Sequence, residues 1–278
     1  MAFKRKAAVS VGPEGSPGLR FSDLRMTFDI KKTLKESTNK GRISIFNLSD
    51  ASVNKVFKVG NKIIVEAGYE DEKVRSIFFG EIKRVIDTKT GIDRETAVEA
   101  YDGAKSYQNK NISISFKEGT LISTVLNKLV DEFDLPLGNV ITGITGQYAN
   151  GYSFIGKIKT ALTEVCDYAG KKWSIQNEQL FILGDNNFVD RTGLLLSKDT
   201  GLIGYPELLD DAKEEEDSEV PPPKRWKIKS LLFGELVPGY LVKVQSNSCN
   251  GAFQIESTNF VGDTHGDDWS ATCEVKAL

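Results

Sequence analysis

The feature that most constrains the fold is an alternation of apolar and polar residues in short runs. Leu24, Met26, Phe28 and Ile30 alternate with polar neighbours, and comparable short runs follow at 62–67, 76–85 and 95–101. A period of two sends successive side chains to opposite faces, so these runs predict β-strands rather than helices. Glycines and charged residues separate the runs, and this spacing is typical of a small antiparallel barrel.

Short helices are predicted at three places. Ser49 offers a capping side chain for a helix that runs to Phe57 and ends before Gly60. Apolar residues at helical spacing predict a second helix from Leu121 to Phe133, behind a Thr120 cap and stopped by Leu135-Pro136. A third helix is predicted with one apolar face (Ile155, Ile158, Leu162, Val165 and Ala169), and Gly170 closes it in left-handed geometry.

Strands return towards the end of the chain. A hairpin is predicted around Asn177-Glu178, and further strands at 226–233, 240–244, 253–260 and 269–275. Seven of the ten residues at 210–219 are Asp or Glu, and Pro221-Pro222-Pro223 follows. Such a stretch has little apolar surface to bury, which favours an exposed loop over a binding site.

These patterns predict a mainly β fold with an α+β middle. Two small antiparallel β-barrel-like domains, 1–107 and 193–278, flank an α+β domain at 108–192, and the acidic, proline-rich loop 210–223 interrupts the last domain. The length of 278 residues agrees with two or three units of ordinary domain size. The two β domains suggest an internal duplication of fold.

Charge, hydropathy and cysteine content exclude several functional classes. The formal net charge of −3 speaks against a protein whose main task is to hold nucleic acid. No apolar run reaches the roughly 18 residues of a membrane helix, so we expect no membrane insertion and a chain that stays in the cytoplasm after synthesis. Cys166, Cys249 and Cys273 are widely spaced and lack a CxxC pair, which predicts reduced structural thiols.

The candidates for chemistry are few. His265 is the one histidine, and with Asp263, Asp267 and Asp268 it forms a conceivable metal site, although carboxylates in a glycine-rich turn are usually solvated. A pair from Asp131, Glu132 and Glu164 would be needed for glycoside hydrolysis, but solvated helix faces explain these residues adequately. We therefore expect no enzyme, no catalytic residue, no metal and no cofactor.

Several motifs occur in the same order as in a known family. The early motifs are Asn47-Leu48-Ser49, which precedes a predicted short helix, then Gly60 through Tyr69, Ile77 through Gly80, and Ala100 through Gly103. The middle motifs are Phe116 through Thr120 and Leu135 through Gly138. The late motifs are Gly201 through Pro206, Ser230-Leu231-Leu232, Pro238-Gly239, Gly262-Asp263 and Asp268-Trp269. The collinear set resembles phage tail baseplate hub proteins of contractile tails, the family related to the late control protein D group. Two departures are Phe260-Val261, where a His-Ser pair is expected, and the enlarged acidic connection.

The resemblance implies structural or interface roles for twelve signature positions: Gly68, Gly80, Asp102, Gly103, Pro136, Pro206, Pro238, Gly239, Gly262, Asp263, Asp268 and Trp269. It also implies a homotrimer whose two barrel-like domains per subunit form a pseudo-sixfold ring between the tail tube and a trimeric spike. The implied partners are tail tube or tube-initiator proteins, the spike, and tape measure and wedge proteins, with DNA only in transit. The location would be the baseplate of the virion tail, which is assembled in the host cytoplasm.

Two alternatives stay open at this level. One is a tail-associated cell-wall hydrolase, and the other is the hub of a phage-derived contractile injection device. The sequence carries no separate lytic domain, so the structural adaptor is favoured over the hydrolase.

Overall fold

A computed structural model describes residues 4–70, 74–103, 110–184, 188–209 and 223–278. Residues 210–222 of the predicted exposed loop and the predicted domain boundary at 107 lie outside these ranges. Of that loop only Pro223 is described, and it is exposed. No helix in the described ranges is long and apolar enough to cross a bilayer.

The described chain contains nineteen strands and three helices, numbered here in chain order. The first seven strands are β1 (Arg5–Gly12), β2 (Leu19–Phe21), β3 (Met26–Thr33), β4 (Lys40–Phe46), β5 (Lys62–Tyr69), β6 (Arg75–Thr90) and β7 (Asp93–Tyr101). The next six are β8 (Asn111–Phe116), β9 (Thr120–Leu121), β10 (Gln147–Tyr148), β11 (Tyr152–Lys157), β12 (Lys171–Gln176) and β13 (Gln179–Gly184). The last six are β14 (Val189–Leu196), β15 (Leu202–Leu209), β16 (Arg225–Leu231), β17 (Tyr240–Gln245), β18 (Asn250–Asp263) and β19 (Trp269–Ala277). The helices are α1 (Asp50–Val56), α2 (Ile122–Phe133) and α3 (Ile158–Tyr168).

The chain divides into two compact units. The first unit consists of Met1–Thr33, Lys40–Tyr101 and Phe188–Leu278, and the second of Leu34–Asn39 and Asp102–Asn187. The first unit therefore contains the strands predicted for both barrel-like domains. The division at 1–107, 108–192 and 193–278 stays a prediction.

A 13-stranded sheet forms the first unit. Its main path runs β15-β16-β19-β18-β3-β4-β7-β6-β5-β1-β2, and β17 pairs with β18 and with β14. All of these pairs are antiparallel except β14–β17, which is parallel. Antiparallel pairing of β3 with β18 brings Ile30 opposite Phe260 and joins the early strands to the late ones. The prediction of a mainly β, antiparallel fold is confirmed.

One continuous apolar cluster lies along this sheet. It takes alternate residues from each strand, such as Met26, Phe28 and Ile30 of β3, which are nearly inaccessible to solvent. Burying a side chain of this size stabilises the fold by roughly 1.5–3 kcal/mol. The period-two pattern in the sequence therefore corresponds to the inward face of the sheet.

Helix α1 is fixed at its start by local polar contacts. The predicted cap is confirmed, because Ser49 Oγ accepts a hydrogen bond from Ser52 N at 3.2 Å. The side chain of Arg94 is 10% exposed and donates to Asp50 Oδ1 at 2.7 Å and to the carbonyl of Leu48 at 3.1 Å. The guanidinium also binds the carboxylate of Asp87, so one arginine ties the helix to the β6–β7 hairpin.

The second unit packs α2 and α3 with three two-stranded sheets, β8–β11, β9–β10 and β12–β13. The apolar face of α2 is buried from Ile122 to Phe133, as predicted. The predicted turn at Asn177-Glu178 is confirmed, because both residues have positive φ angles between paired strands. Gly170 follows α3 with a φ of 61°, the left-handed geometry that was predicted.

Two details of the predicted helices are wrong. Thr120 does not cap α2, because it belongs to β9 and its hydroxyl donates to the carbonyl of Lys117 at 2.8 Å. Ile155 does not extend the buried face of α3, because it lies in β11 and is 85% exposed. In both cases pairing with a distant strand prevails over local helical spacing.

Candidate functional site

The late signature residues form the hairpin turn between β18 and β19. Asp263 N donates to the carbonyl of Asp268 at 2.7 Å, and Asp263 Oδ1 accepts from His265 N at 2.9 Å. Arg25 adds two contacts, Nη2 to Oδ2 at 2.8 Å and Nε to Oδ1 at 3.3 Å. Hydrogen bonding from Arg25 lowers the pKa of Asp263 below its usual value, although burial opposes the shift. The carboxylate therefore organises the turn.

The same turn is fastened to the early strands of the sheet. Thr264 and Met26 exchange two hydrogen bonds of 3.0 Å, through both backbone N–H groups. Arg5 donates to the carbonyl of Gly266 at 2.6 Å, and its guanidinium lies 5.8 Å from the ring centroid of Trp269. These contacts join residues more than 230 positions apart, so the motif acts as a structural clasp.

Gly262 and Trp269 enclose the ring of Phe28 within this clasp. The centroids of Phe28 and Trp269 are 5.6 Å apart in an edge-on arrangement. A Cβ on Gly262 would come within 2.3 Å of the Phe28 ring, so only glycine fits without a shift. Trp269 is 4% exposed, and its Nε1 is buried without a hydrogen-bond acceptor among the described residues.

Asp102 and Gly103 organise the second unit. Asp102 is fully buried, and its carboxylate accepts from Asn39 N at 2.7 Å, Asn39 Nδ2 at 2.8 Å and Asn177 N at 3.3 Å. Gly103 has a φ of 56° and donates its N–H to Glu178 Oε1 at 3.0 Å. These two positions hold the segment Leu34–Asn39 against the β12–β13 hairpin.

Pro238-Gly239 and Pro206 lie at irregular points of the first unit. Gly239 donates its N–H to the carbonyl of Ile255 at 2.8 Å and accepts from Val189 N at 3.1 Å, with a φ of 90°. Pro206 is buried in β15, where the register with β16 shifts between Ile203 and Glu207. Proline is tolerated there because an edge strand leaves one side of its backbone unpaired.

The three remaining signature positions lie in ordinary backbone. Gly68 pairs with Lys6 between β5 and β1, and Gly80 pairs with Ile63. A Cβ on Gly80 would lie 2.7 Å from the carbonyl oxygen of Tyr101. The carbonyl of Pro136 accepts from Leu180 N at 2.9 Å. The signature residues are thus distributed over turns and strand joints and are not gathered in one pocket.

The titratable candidates lie apart from this framework. Glu132 Oε1 lies 2.7 Å from Lys128 Nζ, and Glu132 Oε2 lies 3.2 Å from Lys110 Nζ. Hydrogen bonds from these two ammonium groups lower the pKa of Glu132, and the larger effect comes from Lys128. Asp131 and Glu164 are exposed on helix surfaces. A general acid for sugar hydrolysis needs a raised carboxyl pKa, whereas the pKa of Glu132 is lowered.

The metal and thiol candidates are also engaged in structure. No group of three or more His, Cys, Asp or Glu side chains in the described ranges is arranged to hold a metal ion. His265 Nδ1 lies 2.9 Å from the hydroxyl of Thr264. Burial raises the pKa of the Cys166 thiol to about 12, which keeps it protonated and unreactive at neutral pH.

From the sequence we did not predict which strands have an exposed edge. Among the described residues, β15 pairs only with β16, β2 only with β1 and β14 only with β17. On β15, Tyr205 is 78% exposed and Leu208 is 49% exposed. The sequence signal was Pro206, because a proline inside a strand favours an edge position. Free edges with apolar side chains are sites where another chain can pair.

Comparison with known proteins supports the fold. Neither a known protein family nor a curated protein sequence gives a match to this chain. Its structure is similar to the 43 kDa tail protein of prophage MuSo2 from Shewanella oneidensis, with a TM-score of 0.68 and 11% identity over 98% of both chains. It is also similar to the tail protein from Neisseria meningitidis MC58, with a TM-score of 0.67 and 12% identity over 99% of this chain and 97% of that one.

A third similar structure is the E. coli protein c3393, with a TM-score of 0.62 and 11% identity over 97% of this chain and 76% of that one. That protein is described as a component of the type VI secretion system with structural similarity to the T4 bacteriophage tail proteins gp27 and gp5. The chain therefore has a fold that is found in a prophage tail protein, in a second tail protein and in a type VI secretion component.

Proposed function

We propose that this chain is a structural baseplate hub subunit of a contractile phage tail. In this proposal three copies form a pseudo-sixfold ring that joins the tail tube to the central spike. The observation that carries the proposal is the fold shared along almost the whole chain with a prophage tail protein and with a second tail protein. The collinear hub-like motifs from Asn47 to Trp269 support it independently.

The symmetry of a tail explains why one chain would carry two similar β segments. A ring of three subunits can match a sixfold tube only if each subunit presents two similar faces. Strands β1–β7 and β14–β19 are the two candidates, joined by the β3–β18 pairing. A strand from a neighbouring copy can pair with the free edge of β15, β2 or β14 through backbone hydrogen bonds.

The remaining parts of the proposal concern partners and cargo. The partners would be the tube or its initiator protein, the trimeric spike, and tape measure and wedge proteins. The virion tail would be the location. A net charge of −3 suits a channel through which DNA slides, because strongly basic walls would bind the phosphates.

The mass of the purified protein tests the ring directly. Light scattering coupled to size-exclusion chromatography, with the spike protein present, should give a complex that contains three copies of the 30.7 kDa chain. Images of that complex should show a ring with threefold symmetry. A mass that fits only a monomer or a dimer, together with images that contain no ring, would contradict the proposal.

An edge variant sharpens this experiment. Leu208→Lys places a charge on the free edge of β15, and we expect it to weaken the trimer by roughly tenfold or more, because burying an unpaired charge is costly. Ile92→Lys is the matched control, because Ile92 is 99% exposed on the β6–β7 turn. It should leave the assembly unchanged.

A hub of a phage-derived injection device is a second candidate, favoured by the similarity to a type VI secretion component. Copurification with a tube that encloses no DNA would support the device. The hydrolase alternative is tested by a zymogram on peptidoglycan, where we expect no clearing. Clearing that disappears with Glu164→Gln or Asp131→Asn would instead establish an enzyme.

A further inference from the structure

An open groove of about 730 Å³ lies at one end of the β14–β19 strands. The turn after β14 forms one wall with Ser197, Lys198 and Asp199. Gln245 at the end of β17 and Asn247 in the turn that follows form another wall. The first part of β15, including Tyr205, lines the groove between them. Ligand sites in proteins usually have volumes of roughly 300–1,000 Å³, so this groove has room for a small molecule.

Local hydrogen bonds hold both turns in place. Ser197 Oγ lies 3.0 Å from Thr200 Oγ1 and accepts from Asp199 N at 3.3 Å. In the other turn, Asn250 Nδ2 donates to the carbonyl of Ser246 at 2.6 Å, and Ser246 N donates back to Asn250 Oδ1 at 3.1 Å. A groove with preformed walls binds at lower entropic cost than one that must be ordered.

Other polar groups in the groove are free to meet a ligand. The side chains of Asp199, Gln245 and Asn247 are exposed and make no hydrogen bond within the described ranges. The two amides supply donors and acceptors together, and the carboxylate supplies acceptors. This is the combination that recognises hydroxyl groups, because each hydroxyl both donates and accepts.

Tyr205 adds an aromatic surface to these polar groups. Its ring is 78% exposed at the edge of the groove, which is unusual for a large aromatic side chain in a well-packed domain. The face of an aromatic ring carries negative electrostatic potential and attracts the partly positive edges of apolar C–H groups. A pyranose ring has such C–H groups on its faces and hydroxyl groups around its rim.

Other ligand classes fit the groove less well. Among the described residues, Lys198 is the one basic side chain that lines it, and Asp199 is its neighbour, so a phosphate-rich ligand lacks the cationic partners that it needs. At the groove end of β15, Pro206 has no N–H and the register between Ile203 and Glu207 is irregular, so an added peptide strand fits this end less well than the regular part at 207–209. We propose that this groove binds a neutral oligosaccharide, with Tyr205 stacking on one sugar ring and the amides of Gln245 and Asn247 binding its hydroxyl groups.

The test uses two sugars of similar length as probes, chitotetraose and maltotetraose. Saturation-transfer NMR and calorimetry on the full chain should show saturable binding of at least one of them, with a Kd no weaker than about 10 mM. Binding of chitotetraose alone would identify an N-acetylated sugar, and binding of maltotetraose would identify a plain glucan. Absence of saturable binding to both would overturn the proposal.

Variants locate the binding in the groove. Tyr205→Ala should weaken binding by roughly tenfold, whereas Tyr205→Phe keeps the ring and should change the Kd by less than about threefold. Asn247→Ala should weaken binding by roughly fivefold through loss of a hydrogen bond. Ile92→Ala is the control and should have no effect. Sugar binding that survives Tyr205→Ala and Asn247→Ala unchanged would place the site elsewhere and refute the assignment, and circular dichroism checks that each variant is folded.

Discussion

Replacing Asp102 with alanine should lower the free energy of unfolding of the second unit by about 3 kcal/mol. The carboxylate is fully buried, and alanine removes the acceptor of the Asn39 backbone N–H, which donates to it at 2.7 Å. Asn39 Nδ2 would keep other acceptors, the carbonyl of Ile175 at 2.6 Å and Gln176 Oε1 at 3.1 Å. Most of the cost therefore comes from the backbone N–H groups of Asn39 and Asn177, which lose this acceptor, and from the lost contact to a charged group.

Each of these contributions has a known size. A hydrogen bond to a charged group stabilises a protein by roughly 1.5–3 kcal/mol, and a buried donor left without an acceptor costs roughly 1–3 kcal/mol. Relief from burying a carboxylate offsets part of that sum, which leaves about 3 kcal/mol. Asp102→Asn keeps the size and one acceptor oxygen, so it should cost roughly half as much.

Hydrogen exchange followed by mass spectrometry in increasing urea is the suitable assay. Two units need not unfold together, and peptides around Asn177 report on the second unit alone. Asp131→Ala is the control, because Asp131 is exposed on α2 and should change stability by less than about 0.5 kcal/mol. A loss below about 1 kcal/mol for Asp102→Ala would refute the reasoning.

Two further predictions concern the first unit. Hydrogen bonding from Arg94 lowers the pKa of Asp87 in the folded protein. The stability that this carboxylate adds is therefore fully present above the pKa of about 4 that an aspartate has in the unfolded chain, and it is lost as the pH falls through the lower pKa of the folded state. In urea titrations, Asp87→Asn should lower the free energy of unfolding by about 1–2 kcal/mol at neutral pH and by much less near pH 2. An equal decrease at both pH values would contradict this prediction. Gly262→Ala should cost about 1–3 kcal/mol because its Cβ meets Phe28, and Phe28→Leu in the same chain should recover part of the loss. If the losses of unfolding free energy from Gly262→Ala and Phe28→Leu simply add in the double variant, the new Cβ at position 262 does not clash with the Phe28 ring.

Much of the local structure was predictable because it depends on residues close in sequence. The alternation at Met26, Phe28 and Ile30 fixed the inward face of β3, and the spacing from Ile122 to Phe133 fixed the buried face of α2. The helix cap at Ser49 was also predictable, since a capping side chain binds only three residues ahead. These features follow from chain geometry within one element.

The candidate groove was not predictable in the same way. Its walls come from the turn at Ser197 and the turn at Asn247, which are far apart in sequence, and neither turn carries a binding motif of its own. The exposure of Tyr205 was only partly predictable, because Pro206 favours an edge strand but the alternating pattern does not give the position of a strand in the sheet. Only the order of strands in the sheet decides that.

The sequence alone determined the type and approximate position of most strands and helices, because side-chain periodicity and turn chemistry act over a few residues. The tertiary structure decided that β3 pairs with β18 and that the clasp at Asp263 reaches back to Arg25. Such contacts join residues hundreds of positions apart, and their free energy depends on the whole packed unit rather than on any local pattern. That is why the joining of the two β segments into one sheet appeared only in the folded structure.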